Sequence, residues 1–115
     1  MAGSNKPLVW VLFAAGGTLA AFVLPAIIFS LTLGVALGWI PLEALSYERA
    51  AVGMQSPLAK LATFAVTVLI LWHAAHRLRI TAHDLGIYAD GLVMFICYGI
   101  AALGTIVTFV ALLGL

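Results

Sequence analysis

The chain alternates long apolar runs with short polar stretches. Residues 7–42, 61–76 and 91–115 contain no Asp, Glu, Lys or Arg, so the charged residues all lie near the edges of these runs. A helix that crosses a bilayer needs roughly 20 consecutive apolar residues. The pattern therefore predicts an all-α membrane protein with three transmembrane helices, at about residues 8–38, 58–84 and 91–114, in a single domain over residues 1–115.

The first predicted helix follows a short polar lead, residues 1–6, and is unusually long. At a rise of 1.5 Å per residue, about 30 residues exceed the thickness of the hydrocarbon layer, so this helix should tilt or bend. Pro25 is the predicted bend, because a proline leaves the carbonyl four residues earlier without its usual donor. Gly16, Gly17, Gly34 and Gly38 would let another helix approach closely.

Two connections join the predicted helices. Residues 39–56 mix charged and apolar side chains, which is typical of a segment lying along the membrane surface. A tight turn near residues 86–91 precedes the third helix.

Basic residues in short connections predict the orientation of the chain in the membrane. Three spans place Lys6 on the same side as Arg77 and Arg79, and Arg49 and Lys60 on the other. The excess of three basic residues over two predicts a cytoplasmic N-terminus and a periplasmic C-terminus.

Composition narrows the classes of function. Hydrophobic residues make up 65% of the chain and charged residues 8%, against about 45–50% and 25% in soluble domains. A net charge of +1 gives no nucleic-acid footprint, and Cys97, the single cysteine, excludes a disulfide framework. No phosphate-binding loop, zinc-type spacing, hydrolase elbow or mid-span acid is present. Three helices enclose little space, which predicts a subunit of a larger assembly.

A polar stripe marks the end of the second predicted helix. Its members share one helical face at offsets of 0, 3, 4, 10 and 11: His73, His76, Arg77, His83 and Asp84. Arg79 lies about 200° from Arg77 around the helix and is expected to extend into the lipid headgroups. A polar stripe that enters the bilayer should face protein, water or a polar ligand group.

Each of these residues has more than one interpretation. His76 and Arg77 would either reach headgroups and a neighbouring subunit, or bind the oxygens of a lipid-soluble ligand. His73 could ligate haem if a partner supplied the second axial histidine. Trp10 and Phe13 belong either to the interfacial aromatic belt or to the frame of a flat redox ring.

The order of several short motifs resembles the D subunit of bacterial fumarate reductase, a small membrane anchor. The motifs are Pro7-x-x-Trp10-x-x-Phe13-x-x-Gly16-Gly17, Ala44-Leu45-Ser46-Tyr47-Glu48-Arg49, His76-Arg77-Leu78 and His83-Asp84-Leu85. The resemblance implies a four-subunit complex of the bacterial inner membrane in anaerobic respiration. In it a flavoprotein subunit with FAD reduces fumarate, an iron–sulfur subunit carries electrons, and two anchors, non-catalytic on their own, attach both to the membrane.

The resemblance also implies a menaquinol oxidation site shared with the partner subunits. Its residues on this chain would be Trp10, Phe13, Ala14, His76 and Arg77, with no haem and no metal. The family pattern has glycine where this chain has Ala14. Two alternatives stay open: a purely structural anchor, and a haem-bearing anchor of the succinate dehydrogenase type.

Overall fold

The computed structural model describes residues 5–115 and is helical, with no strand among these residues. The elements are α1 (Lys6–Phe29), a π-helical turn (Ser30–Gly34), a 3₁₀ turn (Leu42–Leu45), α2 (Tyr47–Gly53), α3 (Pro57–Asp84) and α4 (Asp90–Leu113). Three helical segments are long and apolar enough to cross a membrane. The predicted all-α membrane fold with three spans is confirmed. Residues 1–4 of the predicted polar lead lie outside the described residues.

The first span ends earlier than expected, at Gly34. Pro25 lies inside α1, and the hydrogen bonding changes only at the π-helical turn, where the Thr32 hydroxyl donates to the Ile28 carbonyl at 2.5 Å. The bend at Pro25 stays a prediction, and the irregular hydrogen bonding lies five residues beyond it.

Neither glycine at the end of the first span contacts another span within residues 5–115. A Cβ on Gly34 would meet the side chain of Ile40 at 3.0 Å, so the chain's own connection fills this place. Gly38 has a φ of +72°, a left-handed conformation that glycine adopts without strain, and it ends the helix.

Serine caps begin the two helices that follow. The Ser46 hydroxyl accepts from the backbone N–H of Arg49 at 3.4 Å, and the Ser56 hydroxyl accepts from that of Ala59 at 3.5 Å. Pro57 occupies the first position of α3, where its missing N–H does no harm. Ser46 thus begins the short helix within the 39–56 connection, and Ser56 with Pro57 begins the second span.

Small residues occupy the helix contacts. α3 packs against both α1 and α4, while α1 and α4 make little contact with each other. Buried positions on the spans are Gly16, Gly34, Ala75 and Ala101, whereas Phe22 and Phe95 are 75% and 76% exposed. In lipid there is no hydrophobic gain from bringing helices together, so close packing of small residues has to hold them. Phe22 and Phe95 lie on the outside of the bundle.

Candidate functional site

A cavity of about 470 Å³ opens between α1 and α4 on the face of α3. Ligand sites commonly measure about 300–1,000 Å³ and combine apolar walls with a few polar groups. Its aromatic and polar lining residues are Trp10, Phe13, Trp72, His73, His76 and Tyr98, and the rest of the lining is aliphatic. The walls are therefore suited to a flat, apolar ligand with polar substituents.

The cavity lies near one end of the bundle. Phe13 is seven residues after the start of α1, His76 is eight residues before the end of α3, and Tyr98 is eight residues after the start of α4. At 1.5 Å per residue these side chains share a depth of about 10–12 Å from the helix ends.

Gly16 brings α1 and α3 together beside the cavity. A Cβ on Gly16 would overlap the Leu69 carbonyl oxygen and lie 2.8 Å from Cβ of His73. A Cβ on Gly17 would lie 2.6 Å from Cε1 of the same imidazole. The predicted close approach of another helix at Gly16 and Gly17 is confirmed, and the second glycine leaves room for the His73 ring.

His73 is fixed against α1 by two contacts with one residue. Its Nδ1 lies 2.9 Å from the Phe13 carbonyl oxygen, and its ring stacks on the Phe13 ring with centroids 4.3 Å apart and planes at 23°. The imidazole therefore belongs to the α1–α3 contact rather than to a lipid-facing surface.

His76 is fixed against α4. Its Nδ1 lies 2.8 Å from the Tyr98 hydroxyl oxygen, and the edge of its ring meets Phe13 with centroids 4.9 Å apart. Tyr98 stacks on Trp72 at 5.8 Å, and the Trp72 indole N–H donates to the Thr105 hydroxyl at 3.1 Å. The Trp72–Tyr98 stacking and the hydrogen bonds to Tyr98 and Thr105 thus join α3 to α4 beside the cavity.

Arg79 has a partner within the chain that the sequence did not predict. Its Nε and Nη2 donate to the two carboxylate oxygens of Asp90 at 3.0 and 2.7 Å, which ties the end of α3 to the start of α4. Arg79 does lie on a different helical face from Arg77, as predicted. The turn between α3 and α4 brings Asp90, at the start of α4, to that face.

The predicted ligand residues separate into two groups. Trp10, Phe13 and His76 line the cavity, and the Trp10 ring meets the edge of Phe13 with centroids 5.7 Å apart. Ala14 and Arg77 are exposed and do not line it. Arg77 has no side-chain hydrogen bond or ion pair within residues 5–115.

Trp72 and Tyr98 were not predicted as site residues. Their signal was present in the sequence, because residues equidistant from a tight turn meet across an antiparallel helix pair. Tyr98 lies eight residues beyond Asp90, as His76 lies eight residues before Asp84. Tyr98 lies in a run without charged residues and at the same distance from the turn as His76, and this could have indicated that the two meet.

The cavity can hold an aromatic ring between aromatic side chains and bind its oxygen atoms with imidazoles. Residues 5–115 contain no group of three or more His, Cys, Asp or Glu side chains placed to hold a metal ion. The imidazole and hydroxyl groups of the lining can form hydrogen bonds and transfer protons.

Comparisons with known proteins give one consistent result. The family of fumarate reductase D subunits matches residues 1–113. Over 100 residues the chain is 39% identical to the fumarate reductase D subunit of Photobacterium profundum, covering 87% of this chain and 83% of that protein. It is 38% identical to the protein of the same name from Vibrio vulnificus, covering 87% and 80%. With that of Mycobacterium bovis it shares 36% over 104 residues, covering 89% and 82%.

Proposed function

Because this chain belongs to the family of fumarate reductase D subunits, we propose that it attaches the catalytic subunits to the membrane and helps to form a menaquinol oxidation site. It is a multi-pass membrane-anchor subunit of fumarate reductase. Its proposed partners are a second anchor, an iron–sulfur subunit that it contacts, and a flavoprotein subunit beyond. The fumarate chemistry takes place on the flavoprotein, and this chain has no catalytic activity alone.

The observation that carries the quinol site is the cavity with imidazoles at its polar end. A bound quinol supplies two electrons and two protons to the complex when it is oxidised. Trp10 and Phe13 would pack against its ring and fix the ring plane. His76 would hydrogen-bond a ring oxygen, since its Nδ1 is already engaged with Tyr98 and its Nε2 is not.

Ala14 and Arg77 would lie at the rim of the site. Both are exposed on the single chain, next in sequence to Phe13 and His76. A neighbouring subunit packed on this surface would cover them and close the open side of the cavity. The site is therefore proposed as a shared one, completed only in the complex.

We place the cavity at the cytoplasmic end of the bundle, in the bacterial inner membrane. Lys6, Arg77 and Arg79 are at this end, and Arg49 and Lys60 are at the other. The orientation rule counts Lys and Arg rather than net charge, so Asp90 beside Arg79 does not cancel the bias. This orientation brings the site next to subunits on the cytoplasmic face.

Replacing His76 with leucine in the assembled complex tests the quinol site. We expect menaquinol-driven fumarate reduction to fall about 10- to 100-fold, because a ligand oxygen loses its hydrogen-bond partner in an apolar site. Reduction of fumarate from a soluble reduced dye should be unchanged in the same membranes, because it bypasses the site. His83→Leu is the matched control, since this histidine of the same helix lies outside the cavity.

The outcomes separate the quinol-site and structural interpretations. Equal quinol-driven rates in the His76 variant and the control would exclude the proposed site. Loss of the dye-driven activity from the membrane would instead indicate a purely structural anchor.

We also propose that His73 carries no haem. A porphyrin on its Nε2 would need a flat space across the α1–α3 contact, where Gly16 brings the two helices together and the Nε2 edge lies against Gly17. A visible absorption spectrum of the dithionite-reduced complex should lack the b-type Soret and α bands. A haem signal that disappears in His73→Phe would contradict this proposal.

A further inference from the structure

Three side chains of the cavity lining pack on one residue, Phe13. The Trp10 and His76 rings lie steeply inclined to the Phe13 ring, with planes at 89° and 76° and centroids 5.7 and 4.9 Å away. His73 differs from both because its ring stacks on Phe13, with centroids 4.3 Å apart and planes at 23°. One face of the Phe13 ring is therefore covered by an imidazole, and only the rest of that ring can contact a ligand.

His73 also binds the main chain of Phe13. Its Nδ1 lies 2.9 Å from the Phe13 carbonyl oxygen. A carbonyl oxygen only accepts hydrogen bonds, so Nδ1 carries the hydrogen and donates it. One side chain of α3 thus contacts both the ring and the carbonyl of Phe13, which fixes the orientation of that ring relative to α3.

Gly17 provides the space for these two contacts. A Cβ on Gly17 would lie 2.6 Å from Cε1, 3.1 Å from Nδ1 and 3.2 Å from Nε2 of His73. The edge of the imidazole that contains both nitrogens therefore lies against α1. This arrangement suits a residue that positions its neighbour better than one that binds the ligand through a nitrogen.

We propose that His73 is a positioning residue of the site and acts through Phe13. Its imidazole supports the Phe13 ring on one face and its N–H holds the Phe13 carbonyl, so that the ring meets the ligand in a single orientation. Gly17 is part of the same arrangement because its missing side chain admits the imidazole. The identity of the ligand as a quinol rests on the proposed function, whereas the contact between His73 and Phe13 does not.

The positioning role predicts an effect on ligand binding rather than on the chemical step. A ring that is already held in its binding orientation does not have to be ordered when the ligand arrives. Loss of this support weakens substrate and transition state equally, which raises KM and leaves kcat nearly unchanged. If His73 instead took a proton from the ligand, its loss would lower kcat.

Substitutions of His73 in the assembled complex separate its two contacts. His73→Phe keeps a ring without a donor, His73→Asn keeps an N–H on the same Cγ without a ring, and His73→Ala loses both. We expect KM for a short-chain menaquinol to rise about 3- to 10-fold in His73→Ala and less in the other two, with kcat within about twofold. Dye-driven fumarate reduction should be unchanged. A lower kcat at unchanged KM, or no change in either constant, would overturn the positioning role.

Replacing Gly17 with alanine tests the same role from α1. The imidazole is the end of a rotatable side chain, so the added methyl group should push it off Phe13, and KM should rise about as much as in His73→Ala. The double variant should show no further rise, because the three nearest atoms to the new methyl group belong to the His73 ring. Independent, multiplying increases would show that Gly17 does not act through His73. Gly99→Ala is the matched control, since a Cβ there meets nothing within 4 Å.

Ring-¹⁵N-histidine labelling tests the contact without any ligand. Solid-state NMR of the full chain in bilayers should show hydrogen on Nδ1 of one histidine, with a signal that disappears in His73→Phe, changes in Gly17→Ala and stays constant in Gly99→Ala. Absence of this hydrogen from His73 would contradict the contact itself. If the contact is present but quinol-driven turnover is also insensitive to His76→Leu, the quinol site is excluded and the positioning role with it. Sensitivity to His76→Leu alone would leave the quinol site standing and exclude only the role of His73.

Discussion

Replacing Gly16 with valine will separate α1 from α3 and remove quinol-driven turnover. The first atom added to Gly16 would overlap the Leu69 carbonyl oxygen and lie 2.8 Å from Cβ of His73. Neither atom can rotate away, so the helices themselves have to move apart. Overpacking of this kind costs about 1–3 kcal/mol, and in lipid no hydrophobic gain opposes the separation. The His73–Phe13 hydrogen bond should be lost with the contact.

Two measurements follow the effect of Gly16→Val. In the full chain in bilayers, with Cys97 replaced by alanine, spin labels on α1 and α3 should lie farther apart than in the unsubstituted chain. In the complex, menaquinol-driven fumarate reduction should fall by more than about tenfold. Gly99→Val makes the same substitution in α4, where a Cβ would meet nothing within 4 Å. It should leave the distance between labels unchanged, and equal distances in the two variants would contradict the packing described here.

The number and type of the helices could be predicted because membrane insertion depends on the length of each apolar run, which can be read directly along the sequence. An apolar run longer than the bilayer is thick has to become a helix, since no water is present to satisfy its backbone groups. Helix ends were less predictable. The first span ends at a π-helical turn, whose hydrogen bonding depends on local contacts such as that between Thr32 and Ile28.

The candidate site could be predicted only along each helix, not between helices. Helical spacing placed His73 and His76 on one face, and their position near the cavity follows from that face. The same spacing placed Arg79 elsewhere, but it contained no information about the Asp90 carboxylate that α4 brings there. Tyr98 was missed because its pairing with His76 follows from the position of the turn between α3 and α4, not from the spacing within one helix. Contacts across a helix pair depend on the turn, and a one-residue shift of the turn would change every such pair.

Arg77 and Arg79 lie at the cavity end of the bundle in different surroundings. Arg79, two residues later, is neutralised by Asp90, whereas Arg77 has no such partner within residues 5–115. It lies seven residues before the end of α3, about 10 Å along the helix axis. A charge at this depth needs a protein or ligand partner, and Arg77 does not line the cavity. We therefore infer that it pairs with an acidic or carbonyl group of a neighbouring subunit.

Replacing Arg77 with leucine should therefore detach the catalytic subunits more than it slows the quinol reaction. We expect attachment to weaken at least about tenfold, because truncating one partner of a covered, hydrogen-bonded pair leaves the other unpaired. Dye-driven fumarate reductase activity should move from the membrane fraction to the supernatant, with a nearly unchanged ratio of quinol-driven to dye-driven rates in the remaining membranes. Arg49→Leu, at the other end of the bundle, should release no dye-driven activity into the supernatant. Full attachment with a selective loss of quinol-driven turnover would instead make Arg77 a ligand residue, because the positive charge would then be acting on the ring oxygen inside the completed site.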